Sequence, residues 1–323
     1  MFWDQKNVLV TGGLGFIGSH LVDAVVERGA SVTVADNFQN GTLSNVSNCE
    51  HRIKVVRANL GNPAECEELC SGIDIVLNLA AKVAGVAYNS IHPAEMFAQN
   101  VLIGFNMLEA ARKHDVTRFL TVSSACVYRR DAIVPTPESE GFIGDPEPSN
   151  LGYGWAKRVI EVQSRTYADE YGVRIAIVRP FNTYGPRDHF DVQYGHVIPS
   201  LIRKALEQEN PIVVWGNGTQ TRSFVYVTDV VAGMLIATER FAVADPVNIG
   251  SDEEITIGDL VKQIIKLTGG QKQVRFDPTK PSGQPRRAPD LTKAKENLGF
   301  RASIHLNEGL RRAIDWYHST REL

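Results

Sequence analysis

Cysteine is scarce in this chain. Its 323 residues hold four, Cys49, Cys66, Cys70 and Cys126, with no CxxC pair and no paired spacing. That excludes a disulfide-stapled framework or a zinc module and fits reduced thiols in a cytosolic protein. An excess of one charge is also lacking: 34 Lys and Arg against 37 Asp and Glu give a formal net charge of −3, with no long basic run. Nothing in that balance suits a nucleic-acid or polyanion partner. No apolar run is long enough to span a bilayer, and Met1 leads through Asp4 and Lys6 into an apolar strand without a signal peptide. A cytoplasmic protein with no membrane partner is expected. No cluster of His, Cys and carboxylate residues has ligand spacing, so no metal is expected. Internal repeats and low-complexity tracts are absent too.

A hydrophobic content of 43% supplies ample core for two closely associated domains or one large one. The first half alternates strand and helix. Strand candidates are Val8–Thr11, Ser31–Ala35, Ile53–Arg57, Ile73–Asn78, Arg118–Ser123 and Arg174–Arg179. Helices are expected at Phe16–Arg28, Pro93–His114 and Leu151–Tyr171. This order predicts an α/β fold with a doubly wound parallel sheet, right-handed crossovers and a ligand crevice at the carboxyl ends of the strands. After Pro180 the pattern loosens into turn-rich segments at Asn182–Gly195, Trp215–Thr221 and Pro278–Pro289, with short helices at Val197–Glu207, Ile257–Thr268 and Leu306–Tyr317. Val225-Tyr226-Val227 and Val247-Asn248-Ile249 read as strands. The expected organisation is a dinucleotide-binding domain of 1–181 plus about 224–250, and a smaller mixed α/β lobe of about 182–223 plus 251–323.

The apolar run Val8-Leu9-Val10 leads directly into Thr11-Gly12-Gly13-Leu14-Gly15-Phe16-Ile17-Gly18. Each glycine at this spacing has a physical task. Gly12 allows the tight turn, Gly15 lets backbone approach a pyrophosphate, and Gly18 lets the next helix pack close to the strand. The helix then points free N–H groups and its positive end at the phosphates. A second strand, Ser31-Val32-Thr33-Val34-Ala35, ends in Asp36, about 20 residues on, where ribose recognition needs a carboxylate. A carboxylate accepts from the 2′- and 3′-hydroxyls and repels a 2′-phosphate. Asn37 follows, and no Arg or Lys comes before Arg52. These residues favour NAD over NADP.

Far downstream lies Tyr153-Gly154-Trp155-Ala156-Lys157. Four residues apart on a helix, Tyr153 and Lys157 share one face. A phenol with pKa of about 10 is a poor base near neutrality, and a nearby ammonium lowers that value. The pair suits proton transfer to or from a sugar hydroxyl, coupled to hydride transfer. Ser123-Ser124, closing the strand before it, supplies a hydroxyl donor.

Together these motifs resemble the extended short-chain dehydrogenase/reductases of the nucleotide-sugar epimerase/dehydratase group, over nearly the whole chain. Further shared stretches are Asn78-Leu79-Ala80-Ala81 with Asn100 in the following helix, Arg179-Pro180-Phe181-Asn182-Thr183-Tyr184-Gly185-Pro186, and Arg222-Ser223-Phe224-Val225-Tyr226-Val227-Thr228-Asp229-Val230. The resemblance implies cofactor contacts at Gly12, Gly15, Phe16, Ile17, Gly18, Asp36, Asn37, Asn59, Leu60, Ala80, Ala81, Lys82, Asn100, Tyr153 and Lys157. Asn59 departs from the Asp more usual there. It also implies a homodimer paired through Pro93–His114 and Leu151–Tyr171, with Met96, Phe97, Met107, Val159, Val162 and Tyr167 offered for that face.

Within the group, Ala80-Ala81-Lys82-Val83-Ala84-Gly85-Val86 is similar to the corresponding run of the GDP-L-fucose synthases. Gly195-His196-Val197-Ile198-Pro199, Val213-Val214-Trp215-Gly216-Asn217-Gly218-Thr219 and Lys280-Pro281-Ser282-Gly283-Gln284-Pro285-Arg286-Arg287 agree with that likeness. In both those synthases and the GDP-mannose 3,5-epimerases a Cys stands where Cys126 stands here. A 4-keto sugar has acidified C–H bonds at C3 and C5, and inverting either carbon needs one group to take a proton and another to deliver one from the opposite face. A thiolate and an imidazole, or a thiolate and an ammonium, suit that pair, and the resemblance to the synthases implies Cys126 and His196 for it. By the same resemblance Arg222 and Arg287 clamp a diphosphate, Asn182 donates to a phosphate, and Val197, Lys204 and Trp215 line the nucleotide site. Asp36 distinguishes the chain from the synthases, which are net reductases using NADPH.

The reading that results is an NAD-dependent epimerase of a nucleotide-diphosphate sugar. The expected substrate is a GDP-hexose inverted at C3 and/or C5 through a transient 4-keto sugar, with Ser124, Tyr153, Lys157, Cys126 and His196 catalytic. A GDP-4-keto-6-deoxymannose 3,5-epimerase/4-reductase, a C4-epimerase or 4-dehydrogenase with a passive Cys126, and a non-catalytic NAD-sensing protein all stay open here. A capping role for His196 on the following helix stays open as well.

Overall fold

A computed structural model describes residues 2–190, 195–207, 210–280 and 283–320. Part of the turn-rich stretch before His196, and Pro281 and Ser282 of the expected phosphate loop, lie outside the described residues.

In chain order the first half runs β1 (Asn7–Thr11), α1 (Phe16–Glu27), β2 (Ser31–Asp36), β3 (Ile53–Arg57), α2 (Pro63–Cys70), β4 (Ile75–Asn78), α3 (Val86–Ile91), α4 (Pro93–Lys113), β5 (Arg118–Val122), α5 (Leu151–Tyr171) and β6 (Ile175–Pro180). The rest comprises β7 (Thr183–Tyr184), α6 (Val197–Leu206), β8 (Ile212–Trp215), β9 (Thr221–Ser223), β10 (Val225–Tyr226), α7 (Val227–Arg240), β11 (Pro246–Ile249), β12 (Glu254–Thr256), α8 (Ile257–Leu267), β13 (Val274–Asp277), β14 (Arg286–Arg287) and α9 (Leu306–Ser319). Seven strands form one parallel sheet in the order β3-β2-β1-β4-β5-β6-β11. Its strands are apolar because helices cover both faces; β4, for example, is buried at every position. The order reverses between β1 and β4, which fixes the ligand crevice at their carboxyl ends.

A second apolar core surrounds Tyr184, Ile198, Leu201, Leu260, Ile264 and Leu310. Three small sheets, β10-β7, β12-β9-β14 and β13-β8, serve this lobe. Val225-Tyr226 is a strand of the first of these ribbons, not of the large sheet, and Val227 already opens α7. The segment Val227–Val231, β-branched except at Asp229, becomes helical because α7 buries Val230, Val231, Met234 and Leu235 in the large core. Tertiary burial overrides strand propensity here.

Helices α4 and α5 pack closely. A side chain at Gly152 would strike the Pro93 carbonyl, and one at Gly104 would meet Ile160. Met96 and Met107 are fully buried. Their helical phase points them inward, Met107 into the cluster with Leu108 and Phe119, so the methionines do not belong to the outer face for which they were expected. Tyr167 is half-buried, its hydroxyl donating to Glu109 at 2.9 Å. Phe97, Leu102 and Phe105 on α4, and Leu151, Trp155, Val159, Val162 and Tyr171 on α5, are exposed apolar residues of these two helices.

Candidate active site

The cradle after β1 is built from backbone. Gly12 sits at φ +66°, and a Cβ there would meet the Ala80 backbone at 3.0 Å. At Gly18 a Cβ would strike the Gly12 carbonyl oxygen at 2.1 Å, so only glycine lets α1 start this close to the turn. Helix α1 begins after Gly15, with no side chain capping it and no acidic residue in its first turn. An uncapped helix start beside a glycine turn fits an anionic diphosphate. Asp36 is buried and held at both oxygens, accepting from Leu14 N–H at 3.1 Å and Phe38 N–H at 2.9 Å. Its position at the end of β2 fits the adenosine ribose of NAD.

The opposite wall follows β4. Thr11 Oγ1 donates to Asn78 Oδ1 at 2.6 Å and accepts from Ala80 N–H at 3.1 Å. Asn100 accepts from Lys82 N–H at 3.0 Å and donates to the Lys82 carbonyl at 3.1 Å. Asn100 therefore clamps the 80–82 backbone. The Lys82 ammonium pairs with Glu95, which also accepts from the Tyr88 hydroxyl. On the far rim Asn59 is exposed and turned onto its own loop, accepting from Gly61 N–H at 3.0 Å. Leu60 is buried beneath it.

Tyr153, Lys157 and Glu161 follow one another at helical spacing on α5. Lys157 is buried, donates to the Val122 carbonyl at 2.8 Å, and lies 5.5 Å from the Tyr153 ring centroid. Burial brings its ammonium down to about 8, opposed by Cys126 and Glu161. Burial pushes the Tyr153 phenol above its ordinary value, and Cys126 adds to that rise. What pulls the phenol down is the Ser124 hydroxyl bond and the Arg287 cation. This departs from the expectation that Lys157 does so: its ammonium is engaged with the end of β5.

Cys126 lies in the turn after β5, where Ser124 Oγ accepts from Cys126 N–H at 3.1 Å. Gly154 makes room for that turn, since a Cβ there would strike the Cys126 carbonyl at 2.4 Å. Arg158, fully buried on the next turn of α5, donates to the Val127 carbonyl at 2.7 and 3.0 Å and so locks the same segment. The Arg287 guanidinium donates from Nη2 to Cys126 Sγ at 3.6 Å, and its Nε is buried with no partner among the described residues. Arg222 stands beside Arg287 in the β9–β14 register. Burial and the Arg287 cation bring the Arg222 guanidinium down to about 10, opposed by Glu147. The two arginines thus form one cationic wall, and one of them touches the thiol.

His196 begins α6, yet its side chain does not cap that helix. Nδ1 faces Asp188 Oδ1 at 3.2 Å. The Asp188 carboxylate raises the His196 pKa, and Cys126 raises it further through space. Asn182 Nδ2 donates to the Ser223 carbonyl at 2.7 Å. Trp215 is exposed at the end of β8. Lys204 is buried with its ammonium on the Val213 carbonyl at 2.9 Å, and Val197 packs into the second core. Ser124, Cys126, Tyr153, Lys157, His196 and Arg287 are therefore linked by contact or field. Lys204 and Val197 are engaged elsewhere.

Sequence reasoning passed over the support beneath this site. Glu161 and Arg179 are fully buried and joined by two bonds of 2.8 and 2.6 Å. Ser123 Oγ donates to Glu161 at 2.5 Å, and Arg179 donates to Tyr128 Oη at 3.0 Å and to the Glu138 carbonyl at 2.8 Å. Removing one partner of such a pair costs roughly 3–5 kcal/mol. Glu161 was legible as the next turn of the Tyr153-Lys157 face. Its partner, 18 residues on in β6, needed the fold.

Comparison with known proteins agrees with this construction. Residues 8–250 match the NAD dependent epimerase/dehydratase family model. The dTDP-4-dehydro-6-deoxy-D-allose reductase of a Streptomyces species is 32% identical over 319 residues, covering 98% of this chain and 97% of the relative. GDP-L-fucose synthase 1 of Arabidopsis thaliana is 31% identical over 319 residues, covering 97% and 93%. The crystal structure of UDP-glucose 4-epimerase from Thermotoga maritima, determined with UDP-glucose, superposes with a TM-score of 0.90 at 32% identity, covering 98% and 99%. The chain belongs to the NAD-dependent epimerase/dehydratase family.

Proposed function

We propose that this protein is an NAD-dependent epimerase of a GDP-linked hexose, inverting C3 and/or C5 through a transient 4-keto sugar. The observation that carries this reading is the position of Cys126, whose backbone N–H is held by Ser124 and whose Sγ is touched by Arg287, close enough that a thiolate there would act on Tyr153 and Lys157 on one side and on His196 on the other. Bound NAD supplies a hydride acceptor and, once reduced, a donor. Gly12, Gly15, Gly18, Asp36 and the 80–82 backbone would hold it.

The chain's own residues do the rest. Tyr153 takes the proton of the C4 hydroxyl as that carbon is oxidised, with Ser124 bonded to the same oxygen centre. The resulting ketone acidifies C3–H and C5–H. Cys126 and His196 then remove a proton from one face of the carbon and deliver one to the other. Re-reduction of C4 returns the proton from Tyr153, so the sequence is redox-neutral. Arg222 and Asn182 are the proposed diphosphate contacts. Arg287 is assigned to both the diphosphate and the thiol, because its guanidinium already touches Sγ.

The likeness to GDP-L-fucose synthase 1 supports a GDP-sugar, and Asp36 disfavours the 2′-phosphate that a net NADPH reductase uses. A panel of GDP-, UDP- and dTDP-hexoses incubated with the holoenzyme tests the substrate. Conversion of a GDP-hexose to a C3 or C5 epimer, with no net change in NAD, is the expected outcome. Turnover confined to UDP-glucose and UDP-galactose contradicts it.

We also infer a homodimer through the outer face of α4 and α5. Phe97 and Phe105, with Leu151, Trp155, Val159 and Val162, form an apolar stripe that a two-fold copy would cover. Light scattering at micromolar concentration should give twice the 35.6 kDa chain mass. A particle of single mass refutes this assembly.

A further inference from the structure

We infer that Asp188 is the positioning residue for His196, fixing the ring through Nδ1 and holding it as the imidazolium that delivers a proton; this rests on the proposed epimerase reading. His196 opens α6, so the positive end of that helix disfavours a charged imidazole. A compensating carboxylate is present. The Asp188 side chain is only 2% exposed and lies 3.2 and 3.4 Å from His196 Nδ1, while the imidazole itself is half-exposed. A carboxylate can only accept, so Nδ1 carries the proton and Nε2 is the nitrogen left for substrate. Asp188 and Cys126 are the titratable groups that act on the ring among the described residues.

The carboxylate is itself held in place. Asp188 Oδ1 accepts from His189 N–H at 2.7 Å. The two residues before it are strapped to the cofactor-side helix α1. The Pro186 carbonyl accepts from His20 Nε2 at 3.0 Å, and Arg187 pairs with Asp23 at 2.7 Å. Arg187 sits at φ +65°, an unusual backbone state for an arginine, which those two anchors maintain. The strap therefore sets the imidazole of the second lobe from a helix of the first.

The test uses the holoenzyme, with His196 identified in the imidazole NMR spectrum by its loss in His196→Asn. In the unaltered protein His196 should titrate above an ordinary histidine. Asp188→Asn should move that titration down, cut C3/C5 proton exchange about tenfold or more, and shift the high-pH loss of exchange to lower pH. Transient NAD reduction should stay within about twofold, a split that general misfolding does not produce. Asp188→Glu, which restores the charge, should recover most of the titration shift. An unmoved His196 titration in Asp188→Asn, or equal loss of hydride transfer and exchange, overturns the inference. A moved titration in a protein whose unaltered form shows no exchange supports the pair and overturns the epimerase reading instead.

Discussion

Cys126→Ser should nearly abolish carbon-bound deuterium uptake at C3 and C5, by about 10²- to 10⁴-fold, while bound NAD is still reduced transiently by substrate. An alcohol is a far weaker acid than a thiol, whose ordinary pKa is about 8.5, so serine can neither take nor deliver the proton at a useful rate. The redox residues Ser124, Tyr153 and Lys157 are all retained, and the change removes only the through-space influence of the thiol on Tyr153 and Lys157. The turn survives the change because Ser124 Oγ bonds the backbone N–H of residue 126, not its side chain. Arg287 Nη2 keeps an acceptor in the serine hydroxyl in place of Sγ. Loss of both activities together would mean that the thiol is structural. Retention of both would mean that it is passive.

Tyr153→Phe is expected to suppress hydride transfer about 10²- to 10⁴-fold, and with it the exchange that depends on the 4-keto sugar, with little change in affinity for the nucleotide. Phenylalanine keeps the ring beneath the Lys157 ammonium, which lies 5.5 Å from its centroid. It removes only the oxygen that bonds Ser124. Burial raises the phenol, and Ser124 and Arg287 lower it, so Ser124→Ala should slow the same step in the same direction. Stopped-flow absorbance of reduced nicotinamide, after mixing holoenzyme with substrate, reads this directly. A near-normal burst in Tyr153→Phe would remove Tyr153 from the role of base.

The parallel sheet was legible because its strands are short apolar runs punctuated by glycine turns. The six strands expected in the first half coincide with β1 to β6 to within two residues at either end. The cradle was legible for a different reason: Gly12 and Gly18 admit no side chain, so sequence alone reports the close approach. Phase was harder. Met96 and Met107 looked like a dimer face because apolar residues populate both sides of α4, and only the packed structure shows which side meets the sheet. Asp188 has an unremarkable sequence context, and Glu161 shows in the sequence only as the next turn of the Tyr153-Lys157 face. Their importance comes from distant partners, His196 across a loop and Arg179 on β6, which no local pattern encodes. The origin of the Tyr153 environment was missed because Lys157 is four residues away on the helix, whereas Arg287 reaches the site from β14, more than a hundred residues later.

Heavy-water incubation of the unaltered holoenzyme with a GDP-hexose is the most direct test of the central claim. Proton removal from C3 or C5 exposes that carbon to solvent, whereas inversion at C4 alone moves a hydride that never exchanges. Deuterium at C3 or C5 in both product and recovered substrate, read by NMR and mass spectrometry, is the result expected. Full conversion with no carbon-bound deuterium would contradict the Cys126–His196 mechanism and replace it with inversion at C4.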